Sequence, residues 1–289
     1  MTDDKLTLYE KPALQKPRLV LAFSGWMDGG EASTGTVKCL MGKIGAKKFA
    51  EIDPEGFYIY NFPGMMEVTA MFRPHTKIKE GLIRFYATPS NEFFYNADDD
   101  VVFFLGKEPN MLWERYADCI FSLCDEIGIR MIYFIGSVAG LVPHTREPRL
   151  FCSASDPVVR DKFGHYGVSF SEYEGPASIV TYLTSCCTQR DMQMVSLVAS
   201  VPAYVEGHNP KCVEATTRRL AGMLGIQTDL SDIELKGDDF QKKIDAIVRE
   251  QPELEANIRK LEEDYDKEIF NSEMGDLKRW LQEKGIRVD

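Results

Sequence analysis

Short apolar-rich runs alternate along this chain with longer amphipathic segments. Runs of four or five apolar residues bounded by polar or turn residues are typical of strands that are buried on both faces of a sheet. The segments with this pattern are 19–23, 57–60, 82–86, 101–105, 131–135 and 195–199. Because strands that alternate with helices favour parallel pairing with helices on both faces, the pattern predicts an α/β fold, a three-layer α/β/α sandwich with a mostly parallel sheet.

The segments between these runs have apolar residues at helical spacing and residues that commonly start or stop helices. Asparagine and proline favour a helix start, whereas glycine favours a helix end. The predicted helices are 32–44 closed by Gly45, a second capped by Asn110 and ended by Gly128, a third with Pro176 at its first position, and a fourth opened by Asn209 and Pro210 and stopped by Gly225.

The composition changes after about residue 228, which predicts two parts. Residues 1–228 form the α/β/α core domain, and 229–289 form an acidic linker followed by a C-terminal helical extension. The linker is placed at 229–239, and the apolar seams beyond it predict two helices. Narrow seams suit either a helical hairpin packed on its own domain or an oligomerisation arm, and both interpretations stay open. A further short helix is predicted around Met274 and Trp280.

The charge balance and the cysteine pattern exclude several classes of protein. The net charge is -11, and residues 229–289 hold 18 acidic and 11 basic side chains, so binding to nucleic acid through a basic face is not expected. No apolar run approaches the length of a membrane span, and the first residues do not have a signal-peptide pattern. The seven cysteines are odd in number and lack metal-ligand spacing. We therefore expect a cytoplasmic protein with reduced thiols, no metal and no cofactor.

The loop after the strand at 131–135 contains groups that are able to react. Ser137 and His144 are close enough in sequence for a serine nucleophile and a histidine base. The spacing of a nucleophile elbow is missing, however, because the order is Gly-Ser-Val-Ala-Gly from residue 136. The favoured interpretation is that His144 and Arg146 brace this loop or an interface.

The turn at 25–30 places glycines and one carboxylate between a strand and a helix. Free backbone N–H groups at such a turn can bind an anion. The sequence is not a phosphate-binding loop, since no glycine stands five residues before Gly42 and no hydroxyl residue follows Lys43. The favoured interpretation is structural: Gly25 and Gly30 permit the turn, and Asp28 caps the helix.

Loops that follow different parallel strands often converge on one crevice. We therefore expect a polar, anion-binding cleft at the strand ends. Its predicted lining residues are Gly25, Asp28, Gly29, Gly30, Glu108, His144, Arg146 and Tyr173. If the protein is an enzyme, the candidate catalytic residues are His144, Ser137, Asp28 and Glu108.

Five motifs in order resemble the bacterial branch of the proteasome assembly chaperone family. They are Gly25-Trp26-x-Asp28-x-Gly30-x-Ala32, Gly106-x-Glu108-Pro109-x-x-x-Trp113, Pro143-His144-Thr145-Arg146, Tyr173-x-Gly175-Pro176, and Val201-Pro202-x-Tyr204-Val205 followed by Asn209-Pro210. The resemblance covers roughly residues 18–226. It implies a three-layer α/β/α domain similar to the purine nucleoside phosphorylase class, which is frequently self-associated.

The resemblance also limits what function is expected. The family is labelled a predicted ATP-dependent carboligase as well, but ligation needs a nucleotide cradle and magnesium-binding carboxylates, and the sequence has no such local spacing. Eukaryotic and archaeal members dock on a proteasome ring through a C-terminal hydrophobic-Tyr-X element. The sequence here ends Ile286-Arg287-Val288-Asp289, so docking by that route is not expected.

Two functions of different classes follow from these observations. The first is a non-enzymatic, self-associating protein-binding domain, with a homo-oligomer such as a trimer and a protein client as its partners. The alternative is a phosphorylase-like or hydrolase-like enzyme that acts on a small anionic substrate at the strand-end loops. The missing catalytic spacing favours the first.

Overall fold

A large sheet covered by helices on both faces forms the body of the protein. The structure is a computed structural model that describes residues 4–70 and 72–283; from residue 272 onward, Met274 is the one side chain described. The strands are β1 (Leu6–Leu8), β2 (Arg18–Ser24), β3 (Lys47–Ile52), β4 (Thr76–Lys79), β5 (Leu82–Tyr86), β6 (Glu92–Asn96), β7 (Val101–Lys107), β8 (Met131–Gly140), β9 (Leu150–Ala154), β10 (Ser169–Phe170) and β11 (Gln193–Pro202).

The helices are found mainly between these strands in the chain. They are α1 (Ala32–Ile44), α2 (Met66–Ala70), α3 (Trp113–Ile127), α4 (Pro157–Phe163), α5 (Ile179–Cys187), α6 (Pro210–Leu224), α7 (Ser231–Arg249) and α8 (Pro252–Glu283). The last two follow the sheet and form the C-terminal extension.

Four parallel strands form the centre of the sheet. The strand order is β1-β3-β6-β7-β2-β8-β11-β9-β10, and the neighbours from β7 to β11 are parallel. Antiparallel pairing joins β1, β3 and β6 to one side of this centre and β9 to the other. The predicted α/β class, its parallel sheet and its C-terminal helices are therefore confirmed, with antiparallel strands added on both flanks.

The central strands are apolar without interruption because each buries both faces. In β2, Leu19, Leu21 and Phe23 pack in one core cluster, whereas Val20 and Ala22 pack in the other. Successive side chains of a strand point to opposite faces, so this alternation divides the core into two layers. Helices α3 and α5 cover the first layer, and α1, α4 and α6 cover the second.

Two of the six predicted strands lie outside this sheet. The strand predicted at 57–60 is wrong, because Phe57 and Tyr58 are buried from a turn, where the Phe57 ring packs edge-on against Tyr116 at 5.0 Å between centroids. Residues 82–86 do form a strand, but it pairs with β4 alone in a separate two-stranded hairpin. Of the six apolar segments that were predicted to be strands, four therefore lie in the large sheet.

The predicted helix stops agree with the structure better than the predicted starts. Asn110 does not cap α3: its side chain accepts a hydrogen bond from the Ile59 N–H at 3.1 Å, and α3 begins at Trp113. Pro176 does not open α5, which begins at Ile179 after Ser178. Both residues belong instead to turns that precede their helices.

The C-terminal region differs from the prediction in two ways. The linker predicted at 229–239 is wrong, because α7 begins at Ser231 and packs on α6. An added Cβ at Gly237 would lie 3.3 Å from the Lys211 Cα, so this glycine permits close approach of the two helices rather than marking a linker. The separate short helix around Met274 is also wrong, because α8 continues without a break to Glu283. A domain boundary at residue 228 stays a prediction.

Asn209 fixes the start of α6, and its removal should destabilise the protein. The buried Asn209 side chain accepts a hydrogen bond from the Cys212 N–H at 3.0 Å. Asn209→Ala should lower the free energy of unfolding by about 1 kcal/mol, as measured by urea denaturation, whereas Asn209→Ser should lose less because serine also caps helices. Equal losses in the two variants would contradict a capping role.

Candidate functional site

The turn at 25–30 lies at the carboxyl end of β2. Asp28 is not the cap residue of helix α1, which is Glu31, but its side chain binds the first turn of that helix. Its carboxylate accepts hydrogen bonds from the backbone N–H and the hydroxyl of Thr34, at 3.0 and 2.8 Å. Burial raises the pKa of Asp28, while the bonds from Thr34 and the charge of Lys38 act in the opposite direction. These contacts support the structural interpretation of Asp28.

Ser137 is fully buried and joins this turn to strand β8. Its hydroxyl donates to the Gly29 carbonyl at 2.7 Å and accepts from the Ser33 N–H at 3.1 Å. An added Cβ at Gly29 would lie 3.2 Å from the backbone of Val138, which explains the need for glycine there. Since both hydrogen-bonding capacities of the Ser137 hydroxyl are used within the protein, it holds the turn against the sheet.

Glu108 connects the same turn to helix α5. One carboxylate oxygen accepts from the Trp26 N–H at 3.2 Å, and the other accepts from the Ile179 N–H at 3.3 Å, in the first turn of α5. A carboxylate at a helix N-terminus is favourable because it compensates unpaired N–H groups. Trp26 itself is exposed.

His144 is a contact between the loop after β8 and helix α7. Its ring is buried, with Nδ1 2.7 Å from the Tyr204 hydroxyl and Nε2 2.9 Å from the Asp245 carboxylate. The Tyr204 hydroxyl also accepts from the His144 backbone N–H at 2.8 Å. Because both ring nitrogens have partners, His144 positions α7 in this structure.

Arg146 and its neighbours bind helix α8. The guanidinium makes two parallel hydrogen bonds to the Asp266 carboxylate, at 2.9 and 2.8 Å, and lies 3.4 Å from Glu262. The hydrogen bond from Arg146 lowers the pKa of Asp266 and raises that of Arg146. Two more contacts add to this interface: the Arg149 guanidinium lies 4.3 Å above the Tyr265 ring, and the Tyr265 hydroxyl donates to the backbone. Residues 142–149 are named the docking loop below.

The predicted site residues therefore form two groups rather than one cleft. The first group is Gly25, Asp28, Gly29, Gly30, Glu108 and Ser137, and the second is His144 and Arg146. No hydrogen bond or ion pair joins the two groups among the described residues. Tyr173 is apart from both, exposed, with its hydroxyl donating to the Pro176 carbonyl at 3.2 Å. Ligand binding by either group stays a prediction.

A cleft that the sequence did not reveal lies at the carboxyl ends of β2 and β7. Its volume is about 300 Å³, and its floor includes Ser24, Gly106 and Lys107. Helix α1 contributes Thr34 and Lys38, and the rest of the lining comes from the segment between β3 and β6. Those residues are Tyr60, Phe72, Arg73, Pro74, His75, Ala87, Thr88, Pro89 and Ser90. The sequence did not predict these residues as a site, because no apolar pattern in this segment indicates that it folds over the strand ends.

The segment 60–86, named the insert below, carries a large exposed apolar surface. It contains α2 and the β4–β5 hairpin, and every residue of β5 is exposed. The exposed large apolar side chains are Tyr60, Phe62, Met65, Met66, Val68, Ile78, Leu82, Ile83, Phe85 and Tyr86. Contiguous apolar surface of this kind usually marks a site of interaction with another macromolecule.

Two classes of site are not found in the described part of the chain. No cluster of three or more histidine, cysteine, aspartate or glutamate side chains is arranged to hold a metal ion there. None of the described helices is both long and apolar enough to cross a membrane. Helix α8 is long, but charged residues occur throughout it.

Comparison with known proteins assigns the chain to a family. The PAC2 family model matches residues 22–248, and the chain therefore belongs to the PAC2 family. This result confirms the resemblance to proteasome assembly chaperones and their α/β fold. No curated protein matches the chain.

Three solved structures are similar to this one. A proteasome-assembly chaperone homologue from Mycobacterium tuberculosis is 28% identical, with a TM-score of 0.71 over 83% of this chain and 99% of the other. A PAC2 family protein from Streptomyces avermitilis is 26% identical, with a TM-score of 0.67 over 80% and 95%. A protein of unknown function from M. tuberculosis is 22% identical, with a TM-score of 0.81 over 94% and 92%, and shows the fold alone.

The buried hydroxyl of Ser137 should contribute to stability. Ser137→Ala leaves the Ser33 N–H and the Gly29 carbonyl without this partner, so the free energy of unfolding should fall by about 1–3 kcal/mol. Ser185→Ala is the matched control, because the exposed Ser185 hydroxyl bonds only within its own helix turn and its loss should change little. A fully stable Ser137→Ala variant would show that this contact does not hold the turn.

The ion pair between Arg146 and Asp266 should make α8 docking sensitive to acid. The pKa of Asp266 is lower in the folded state than its unfolded value of about 3.9. Ionised Asp266 therefore stabilises the folded state above about pH 3.9, and this stabilisation is lost as the pH falls through the lower, folded-state pKa. Wild type should therefore unfold at a higher urea concentration than Arg146→Ala at pH 7, and the difference should shrink below about pH 4.

Arg259→Ala serves as the control for this measurement, since its partner Glu255 is on the same exposed helix face and not on the docking loop. The control should show little difference from wild type at either pH. A difference for Arg146→Ala that stays constant in acid would contradict an electrostatic role for the pair.

Proposed function

We propose that this protein is a non-enzymatic, self-associating protein-binding domain whose interaction surface is the insert. The observation that carries this proposal is the exposure of apolar side chains on both faces of the β4–β5 hairpin. Ile83 is 69% exposed, and its cross-strand partner Ile78, on the same face, is 62% exposed. Leu82, which points to the opposite face, is 57% exposed. A second copy of the chain is the first occupant we assign to this surface, and a protein client is the further partner.

The hairpin has few interactions of its own that would keep it folded. Two-stranded hairpins are marginally stable in water unless a third strand or a packed face supports them. Here the two strands pair only with each other within the described residues, so each has a free edge. Free edges and exposed apolar side chains leave the hairpin with a surface that a partner can cover.

Charge complementarity favours another copy of this chain as the partner. Residues 60–90 hold four basic and two acidic side chains, in a chain whose net charge is -11. Residues 229–289 have the opposite excess, with 18 acidic and 11 basic side chains. Head-to-tail contact suits a chain that carries both a basic apolar insert and an acidic helical extension. Such contact forms a closed ring, such as a trimer, when the rotation that relates neighbouring copies adds up to a full turn.

The polar residues at the strand ends support a binding role over catalysis. Ser137 and His144 both have internal partners, and Asp28 and Glu108 accept N–H groups in the first turns of helices α1 and α5. A serine hydrolase would need its nucleophile within hydrogen-bond reach of the base, and no hydrogen bond joins Ser137 to His144 among the described residues. The similar structure from M. tuberculosis described as a proteasome-assembly chaperone homologue supports the same kind of function for this chain.

Native mass spectrometry of paired variants tests the proposal. The double variant Ile83→Glu/Phe85→Glu places charges on the exposed hairpin, where they do not disturb the core. Wild type should be an oligomer, and the double variant should be mostly monomer because burying two unpaired carboxylates at an interface is costly. Val158→Glu is the control, because Val158 is equally exposed on α4, away from the insert.

Circular dichroism and thermal melting of all variants establish that they are folded. The proposal requires that Val158→Glu keeps the wild-type mass while the hairpin variant loses it. A monomeric wild type, or a hairpin variant with unchanged mass, would reject the insert as the self-association surface.

A further inference from the structure

We propose that the cleft at the ends of β2 and β7 binds a small phosphorylated molecule that carries a planar ring. This inference goes beyond the proposed function and does not depend on it. Its basis is the combination of three cationic side chains, one imidazole and several hydroxyls around a space of about 300 Å³. That volume matches the lower end of the range of small-molecule sites.

The charge of the lining is one-sided. Lys38, Arg73 and Lys107 come from three separate parts of the chain, and no acidic residue is among the fifteen that line the cleft. None of the three makes an ion pair with a carboxylate of the described residues. In a chain with 45 acidic and 34 basic residues, three cations around a cleft that no acidic residue lines favour an anionic ligand. The nearby carboxylate on which the charge of Lys38 acts is that of Asp28. Asp28 does not line the cleft, and its carboxylate already accepts a hydrogen bond from the Thr34 hydroxyl.

The floor of the cleft is held by a buried polar network. The Lys107 N–H donates to the Asn91 side-chain oxygen at 3.2 Å, and Asn91 is buried. The hydroxyls of Tyr58 and Tyr116 both lie within hydrogen-bond distance of that oxygen and of the Lys107 carbonyl. The network fixes the backbone of Lys107, which is one of the residues that line the cleft, and the Lys107 Nζ lies 5.7 Å from the centroid of the Tyr58 ring.

Residues of the insert form the opposite wall. Arg73 and His75 stand just before the hairpin, and the Ala87 N–H donates to the His75 carbonyl at 2.8 Å just after it, so the two ends of the hairpin are held together beside the cleft. The Arg73 guanidinium contacts the Asn61 side chain at 3.3 Å and has further donors available.

This chemistry indicates the class of ligand. Guanidinium groups bind phosphate oxygens in pairs, and lysines add point charges, so three cations suit a phosphate monoester, which carries almost two negative charges at neutral pH. The exposed ring of Tyr60 and the ring of Phe72 supply apolar faces for a planar group. The four 5′-ribonucleoside monophosphates combine both features at a size that suits the cleft.

Isothermal titration calorimetry with these four nucleotides tests the inference. At least one should bind the full-length protein. Adenosine or inorganic phosphate alone should bind at least tenfold more weakly, because adenosine lacks the phosphate and inorganic phosphate lacks the planar ring. Lys107→Gln and Arg73→Gln should each weaken the binding tenfold or more.

Lys77→Gln is the matched control, because Lys77 is an exposed lysine of the insert that does not line the cleft. The Lys77→Gln variant should bind the nucleotide with the affinity of wild type. Ile83→Glu alone should also keep the affinity, which separates this site from the self-association surface; Phe85 is left unchanged here because its ring contacts the cleft-lining His75 at 6.3 Å between centroids. The inference is wrong if none of the nucleotides binds, or if Lys77→Gln weakens binding as much as Lys107→Gln and Arg73→Gln do.

Discussion

Burial of both faces of the four central strands is the constraint on which the rest of the structure depends. Helices must cover each face, and the chain therefore has to leave and re-enter the sheet at the strand ends. The loops at the carboxyl ends of β2, β7 and β8 carry most of the polar residues that the sequence singles out. Their first task is to join helices to this sheet without leaving buried backbone groups unpaired.

That task accounts for the motifs shared with the PAC2 family. Asp28 and Glu108 accept N–H groups at the starts of α1 and α5, and Ser137 ties the turn at 25–30 to β8. His144 and Arg146 connect the docking loop to α7 and α8. The motifs therefore specify how the layers and the C-terminal helices are joined. The insert and the cationic cleft, which lie mostly outside these motifs, are where we place binding.

The sequence predicted the parts of the fold that local pattern determines. Continuous apolar runs identified β2, β7, β8 and β11, because a strand buried on both faces has no polar positions. Glycine stops such as Gly45 and Gly225 were correct because each adopts a left-handed backbone conformation. Asn110 was assigned to the wrong element because its side chain binds Ile59, 51 residues away, which is a tertiary contact. Pro176 lies before α5, where its carbonyl accepts a local hydrogen bond from the Tyr173 hydroxyl.

The site was harder to predict than the fold for a physical reason. Grouping Asp28, Glu108, His144 and Arg146 assumed that polar side chains at one rim face a common space. The interpretation that His144 braces its loop agrees with the contacts of its ring. The partners of that ring could not be predicted, because Tyr204 and Asp245 are 60 and 101 residues away in sequence. The cleft joins Lys38, Arg73 and Lys107 only because the insert folds over the strand ends, which no local pattern encodes.

The central claim is that apolar side chains of the insert, and not polar residues at the strand ends, form the surface through which copies of this chain associate. Hydrogen–deuterium exchange measured over a range of protein concentrations tests this claim most directly. The account predicts that amides of 76–86 become protected as concentration rises, while those of the docking loop exchange at a constant rate. Exchange at 76–86 that is independent of concentration, with protection appearing at the docking loop instead, would contradict it.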